Sequence, residues 1–146
     1  MAEVNPIIRG LTEKEAWTSP EAEDPRLRGR TYSITFDAVW EASITVIRKR
    51  SKRWTLVLDD DRAGRIDALA TSFFRGLETE VVIRIGLDEN GQTRVDATSR
   101  SRTDIRDYGR CRRLIGRFMR KLDRELDAAP GQILDPALLP RVRESA

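Results

Sequence analysis

The sequence contains no histidine and only one cysteine among its 146 residues. Histidine is the usual general acid or base near neutral pH and the commonest protein ligand of zinc, copper and iron. The single cysteine, Cys111, cannot form a disulfide within the chain or build a thiolate metal site. We therefore expect no cofactor and no metal centre, and the composition favours a protein that is not an enzyme.

Long apolar runs are missing as well. No stretch approaches the ~20 residues that a helix needs to cross a bilayer. The first residues, "MAEVNPIIRGLTEKEAW", have neither the basic nor the apolar region of a signal peptide. These absences predict a cytoplasmic, bacterial-type protein without a membrane span.

Charge, in contrast, is abundant. Charged residues make up 35% of the chain and hydrophobic residues 39%, which is typical of one soluble domain with a charged exterior. Of the 27 basic residues, 23 are arginine, and 24 acidic residues leave a net charge of +3. Arginine pairs well with carboxylates, so much of this charge is expected in ion pairs.

Hydrophobic patterning divides the chain into an extension, one domain and a tail. Residues 1–30 have no sustained period, and Trp17 and the Ile7–Ile8 pair are the plausible anchors of this extension. Residues 31–128 form the predicted domain. Residues 129–146 are an apolar, proline-broken tail that is expected to dock without being helical. Its apolar side chains include Ile133, Leu134, Leu138 and Leu139.

Alternating apolar residues predict the strands of the domain. The alternating positions are Tyr32, Ile34 and Phe36; Trp54, Leu56 and Leu58; Ile66, Ala68 and Ala70; Val81, Ile83 and Ile85; and Val95, Ala97 and Ser99. The segments "DDDRAG" and "DENG" are predicted turns. Three aspartates in a row do not have the alternating spacing of a calcium loop.

Two helices complete the prediction. The first is capped by Asp37 and has Val39, Trp40 and Ile47 on its apolar side, although the β-branched run "ITVI" also suits a strand. The second follows Asp107 as N-cap and ends before Gly131. Its apolar positions are Tyr108, Cys111, Leu114, Ile115, Phe118, Met119, Leu122 and Leu126. The order β-α-β-β-β-β-α predicts an α+β fold, an antiparallel sheet of four to five strands with both helices packed on one face.

A cluster before the last helix is the candidate ligand site. Ser101, Arg102 and Asp107, with Gly109, could bind a small anion through a hydroxyl, a guanidinium and free helix N–H groups. The structural alternative pairs Arg102 with Asp107 or Glu80. We favour the structural alternative because Asp107 at the N-cap would repel a second anion.

Two basic segments are candidate partner-binding sites. An arginine stripe on the last helix comprises Arg106, Arg110, Arg113, Arg117, Arg120 and Arg124, and "RKRSKR" contributes Arg48, Lys49 and Arg50. The stripe could bind nucleic acid. Only 6% of the residues are aromatic, which leaves little for base stacking, so an ion-paired or solvated face is favoured.

The chain resembles the bacterial family of unknown function numbered 1499. The resemblance rests on Val39-Trp40, Trp54, "RIDALATS", "VVIRI", Ser101-Arg102 and Asp107-Tyr108-Gly109, and spans about residues 32–125. Asp104, Cys111 and Leu114 differ from the residues that this family pattern has. The resemblance implies a fold and no biochemical activity.

Three functions follow as hypotheses. The leading one is a non-enzymatic accessory or scaffold subunit that binds a protein partner or a second copy, with Trp17 and the apolar tail as contacts. The alternative is a protein or enzyme that binds a small anionic ligand at Ser101, Arg102 and Asp107. The weakest is nucleic-acid binding through the arginine stripe.

Overall fold

A computed structural model describes residues 15–50, 52–72, 76–102 and 109–135. Short 3-10 turns lie at Pro25–Leu27 and Pro130–Gln132. The helices and strands, in chain order, are β1 (Glu15–Trp17), β2 (Arg30–Tyr32), α1 (Phe36–Lys49), β3 (Trp54–Asp60), β4 (Arg65–Thr71), β5 (Glu78–Leu87), β6 (Thr93–Ser101), α2 (Arg110–Glu125) and β7 (Ile133–Leu134). The predicted α+β class is confirmed, with seven strands rather than four to five.

All strand pairs are antiparallel, and the sheet order is β3-β4-β5-β6-β2-β7. The strand β1 also pairs with β6, at the other end of the edge that β2 uses, with Glu15 opposite Arg100. The extra strands come from segments that had been assigned to the extension and the tail. Each of these strands has only two or three residues, which is too short to show an alternation in the sequence.

Both helices pack against one face of the sheet. Alternate residues of the central strands, such as Ile66, Ile83 and Val95, are fully buried on this side. The helices contribute Ile47 from α1 and Phe118 from α2, together with their other apolar residues. The ring of Phe118 stacks on Trp54 of β3, with ring centroids 6.2 Å apart. The apolar side of α2, which predicted this helix in the sequence, therefore covers the core.

The start of α1 differs from the prediction. The strand that was expected to continue through Phe36 ends at Tyr32, and Phe36 is the first residue of the helix. The N-cap is Thr35, whose hydroxyl accepts a hydrogen bond from the Ala38 N–H at 3.3 Å. Asp37 lies in the first turn of the helix. The predicted end of the strand and the predicted N-cap were both wrong, because the Thr35 side chain caps the helix before Phe36 and Asp37.

Both ends of α2 also differ from the prediction. Gly109 is the N-cap residue, with φ +85°, and the helix begins at Arg110, three residues after Asp107. Asp107 and Tyr108 lie outside the described residues. At the other end, Asp127 has φ +48° and stops the helix, so Gly131 lies in a 3-10 turn instead of at the helix end.

The strand β3 departs from simple alternation. A β-bulge between Leu56 and Leu58 shifts its register against β4. Leu58 is 47% exposed, whereas Trp54 is buried and Leu56 is half-buried. A bulge adds one residue to a strand and so turns the following side chains to the other face.

Among the described helices, neither is long and apolar enough to cross a membrane.

Candidate functional site

The residues of the predicted ligand cluster do not share one surface. Ser101 is buried on the helix side of the sheet, directly opposite Thr79 of β5. Arg102 points to the other face, because successive residues along an extended chain alternate in direction. Gly109 lies at the N-cap of α2 and is buried, and Asp107 is outside the described residues.

The guanidinium of Arg102 is already engaged. It donates to Glu80 Oε1 and to Glu78 Oε2, both at 3.0 Å, and these hydrogen bonds raise the pKa of Arg102. Pairing with Glu80 was one of the two structural alternatives. Ligand binding by this cluster stays a prediction, and the geometry gives Arg102 a bridging role across the end of β5.

The arginines of α2 point in different directions. The Nε of Arg110 donates to the buried Thr79 Oγ1 at 3.3 Å, so this guanidinium lies against the sheet. Arg113, Arg117, Arg120 and Arg124 are exposed. Arg106 is outside the described residues. The predicted stripe is therefore continuous only from Arg113 onward within the described helix.

The solvent side of α2 meets the end of α1 in a group of five cations. We call Arg50, Arg53, Arg117, Lys121 and Arg124 the basic face. The three α2 members follow one another at steps of four and three residues, which places them on one side of the helix. A salt bridge of 2.7 Å between Lys49 Nζ and Glu125 Oε2 holds the end of α1 beside α2. Two basic segments that are distant in sequence thus form one surface.

The cations of this face are close enough to repel one another. The pKa of Lys121 is lowered, chiefly by the charge of Arg50 and further by partial burial and by Arg124 and Arg117. The pKa of Arg50 is also lowered, by burial first and then by the charges of Arg117 and Arg53. The charges at the end of α1 and those on α2 thus act on one another across the contact between the two helices.

Carboxylates near α2 are committed elsewhere. Asp123 accepts from Arg30 Nε at 3.1 Å and from the Tyr32 hydroxyl at 2.5 Å, and Glu125 pairs with Lys49. Considering only the residues that the structure describes, no carboxylate lies within ion-pair distance of Arg50, Arg117, Lys121 or Arg124. These four cations are therefore not neutralised by an ion pair with a described carboxylate.

Sequence comparison supplies the family. The model of the family described as protein of unknown function (DUF1499) matches residues 10–122. The chain belongs to the DUF1499 family. No curated protein matches the sequence. The match covers both helices almost completely and all strands from β1 to β6, so the family fold includes the segment from Glu15 that had been assigned to the extension.

Several predicted contact residues of this DUF1499 chain lie on its own domain. In β1 the buried residue is Ala16, whereas Trp17 is 47% exposed on the sheet face opposite the helices, across from Thr98. Ile133 and Leu134 are half-buried and form β7 against β2. Leu138 and Leu139 lie outside the described residues. Arg48 is exposed next to Lys49 at the end of α1.

A shallow depression marks the sheet face that the helices leave uncovered. Its volume is about 480 Å³, and its walls include Gly64, Arg65, Arg84 and Asp96. Arg65 is bound to Asp67, and Asp96 is bound by Arg94. Several charges on this face are thus paired with one another.

The predicted basic segments left out Lys121, a member of the basic face. Arg50 and Arg53 belonged to the predicted "RKRSKR" segment, which was treated separately from the arginine stripe. The spacing of Arg117, Lys121 and Arg124 could have identified the second half of the face. The convergence with Arg50 needs the contact between the two helices, which one sequence does not contain.

Proposed function

We propose that this protein is a non-enzymatic binding module, an accessory or scaffold subunit that docks through its basic face onto an acidic surface of a protein partner. The observation that carries the proposal is the convergence of Arg50, Arg117, Lys121 and Arg124 from two elements with no carboxylate in reach among the described residues. An acidic partner would relieve the repulsion that lowers the pKa of Lys121. Opposite charges would also speed the encounter.

A protein partner is favoured over nucleic acid by what surrounds the basic face. The exposed large hydrophobic residues of the described chain are Trp17, Val57, Leu58 and Leu87, and each of them lies on the sheet. Neither helix offers an exposed aromatic ring on which bases could stack. The face presents charge and long arginine side chains, which suit glutamate and aspartate on another protein.

Binding to a labelled poly-glutamate peptide, measured by fluorescence anisotropy over a salt series, tests the proposal. The variant Arg117→Glu with Lys121→Glu should weaken binding at least about tenfold, because it reverses two charges at the centre of the face. The matched control is Arg62→Glu with Arg84→Glu, which changes the net charge equally at exposed positions of the sheet side. The control should stay within about twofold of the unmodified chain.

Other results would contradict the proposal. Equal weakening in both variants would mean that overall net charge, rather than the basic face, drives binding. Tighter binding to duplex DNA of matched charge would favour the nucleic-acid hypothesis instead. Cytoplasmic location is part of the same proposal, and fractionation of cells that express the tagged full chain tests it.

A further inference from the structure

The strand β3 is the outermost strand of the sheet. One side of β3 pairs with β4, and no described strand pairs with its other side. At seven residues it is also the longest strand at either edge, since the opposite edge is the two-residue β7. An open edge offers a row of unpaired backbone N–H and C=O groups to another strand.

This edge carries apolar side chains in solvent. Val57 is 65% exposed and Leu58 is 47% exposed, at the β-bulge in the middle of β3. Edge strands are usually protected by charges, by proline or by β-bulges. The edge of β3 has a bulge, but its centre is apolar and its charges are confined to the two ends.

The two ends of β3 have opposite charges. Lys52 and Arg53 immediately precede the strand, and Asp59, Asp60 and Asp61 occupy its last two positions and the first turn residue after it. A strand with this pattern repels a parallel copy of itself, because like charges would face each other at both ends. It is complementary to an antiparallel copy.

We propose that the edge of β3 binds a second copy of this chain, as an antiparallel pair about a two-fold axis near Leu56 and Val57. With the axis between these two residues, Lys52 faces Asp61 of the second copy and Arg53 faces Asp60. A shift of the axis by half a residue in either direction still places a basic residue opposite an aspartate. The exposed side chains of Val57 and Leu58 are covered in the centre. Because the contact is the same surface on both copies, it closes as a dimer.

The size of the contact sets its strength. A seven-residue strand is about 24 Å long, which gives an interface at the small end of the range for specific complexes. We therefore expect a dimer that dissociates on dilution and weakens as salt screens the end charges. This surface shares Arg53 with the basic face but includes none of the α2 cations, which the proposed function depends on.

Sedimentation velocity of the full chain over a concentration series at low salt tests the dimer. Lys52→Glu and Asp61→Lys each place two repelling pairs in the symmetric dimer, so each variant alone should dimerise about tenfold more weakly. An equimolar mixture of the two variants restores both attractive pairs and should form a heterodimer at close to the unmodified strength. Asp60 is left unchanged because its Oδ1 accepts hydrogen bonds from the N–H groups of Arg62 and Ala63 in the turn.

Two controls separate this proposal from the others. Glu89→Lys makes the same charge change as Asp61→Lys on the exposed β5–β6 turn and should leave dimerisation intact. Arg117→Glu with Lys121→Glu should also dimerise normally, even if it no longer binds an acidic partner. A chain that stays monomeric at millimolar concentration, or a dimer that Lys52→Glu and Asp61→Lys do not weaken, would overturn the inference. So would the absence of a heterodimer in the mixture.

Discussion

At the scale of single residues, Asp123 on α2 joins two elements of the fold through its hydrogen bonds. Its carboxylate accepts from the fully buried Tyr32 hydroxyl and from the Arg30 guanidinium, and so joins α2 to β2. Buried hydrogen bonds to a charged group are among the stronger ones in proteins. This small network helps to position the short strand β2 against α2.

Tyr32→Phe should lower the free energy of unfolding by about 1–2 kcal/mol at neutral pH, because Asp123 loses a buried donor. Burial and the hydrogen bond to Asp123 raise the pKa of Tyr32 above its usual value. The folded state thus holds the phenol proton more tightly, so this stabilisation is complete below about pH 10 and is lost as the pH rises beyond it. Urea unfolding at several alkaline pH values should show a steeper loss of stability for the unmodified chain than for Tyr32→Phe.

Gly64 in the β3–β4 turn and Gly86 in β5 offer a matched pair. Gly64 has φ +66°, and a Cβ there would lie 2.1 Å from the Ile85 carbonyl oxygen. Gly64→Ala should therefore destabilise the fold by about 2–3 kcal/mol. Gly86 has open space around its Cβ position and an ordinary φ, so Gly86→Ala should be neutral or slightly stabilising. Equal urea midpoints for the two variants would contradict this account of the β3–β4 turn.

At the scale of elements, α2 shows which features of a helix can be predicted from the period of its apolar residues. Its apolar residues at steps of three and four identified both the helix and its buried side, and Ile115, Phe118 and Leu122 are indeed fully or almost fully buried. Its boundaries were missed because Gly109 and Asp127 set them through backbone conformation. The strand β1 was missed for a different reason: three residues show no period, and their place depends on pairing with Thr98–Arg100, some 80 positions away.

Within the candidate site the same distinction holds. Spacing alone gave the exposed row Arg113, Arg117, Arg120 and Arg124. It could not give the turn of Arg110 towards Thr79 or the bridging of Arg102 to Glu78 and Glu80. Those contacts depend on which strand lies beside β6, and that is a property of the sheet order.

The two sides of α2 should respond very differently to truncation. Phe118→Ala removes a ring that is 1% exposed and stacked on Trp54, so a loss of about 3–5 kcal/mol is expected. Arg120→Ala, on the exposed side, should change the free energy of unfolding by less than about 0.5 kcal/mol. Thermal or urea unfolding of both variants provides the measurement, and a large effect at Arg120 would mean that the helix face is not simply solvated.

At the scale of the whole molecule, the cations of the basic face, which would bind a partner, lower the stability of the free chain through their mutual repulsion. Lys121→Glu replaces a cation among Arg50, Arg117 and Arg124 with a carboxylate, so it should raise the free energy of unfolding by about 0.5 kcal/mol at low salt. The gain should shrink as salt is added. A destabilising effect of Lys121→Glu at low ionic strength would show that the cations do not repel one another in the folded chain.

The strands β1 and β2 pair with the same edge of β6, which lies much later in the sequence. This separation affects how the sheet forms while the chain is being synthesised. Residues 15–17 and 30–32 complete this edge, yet their partners at residues 93–100 and the helix above them are made much later. A ribosome therefore releases the first strands long before anything exists for them to pair with. Residues 15–17 and 30–32 therefore stay unpaired until β6 has been made, and this side of the sheet forms late in synthesis.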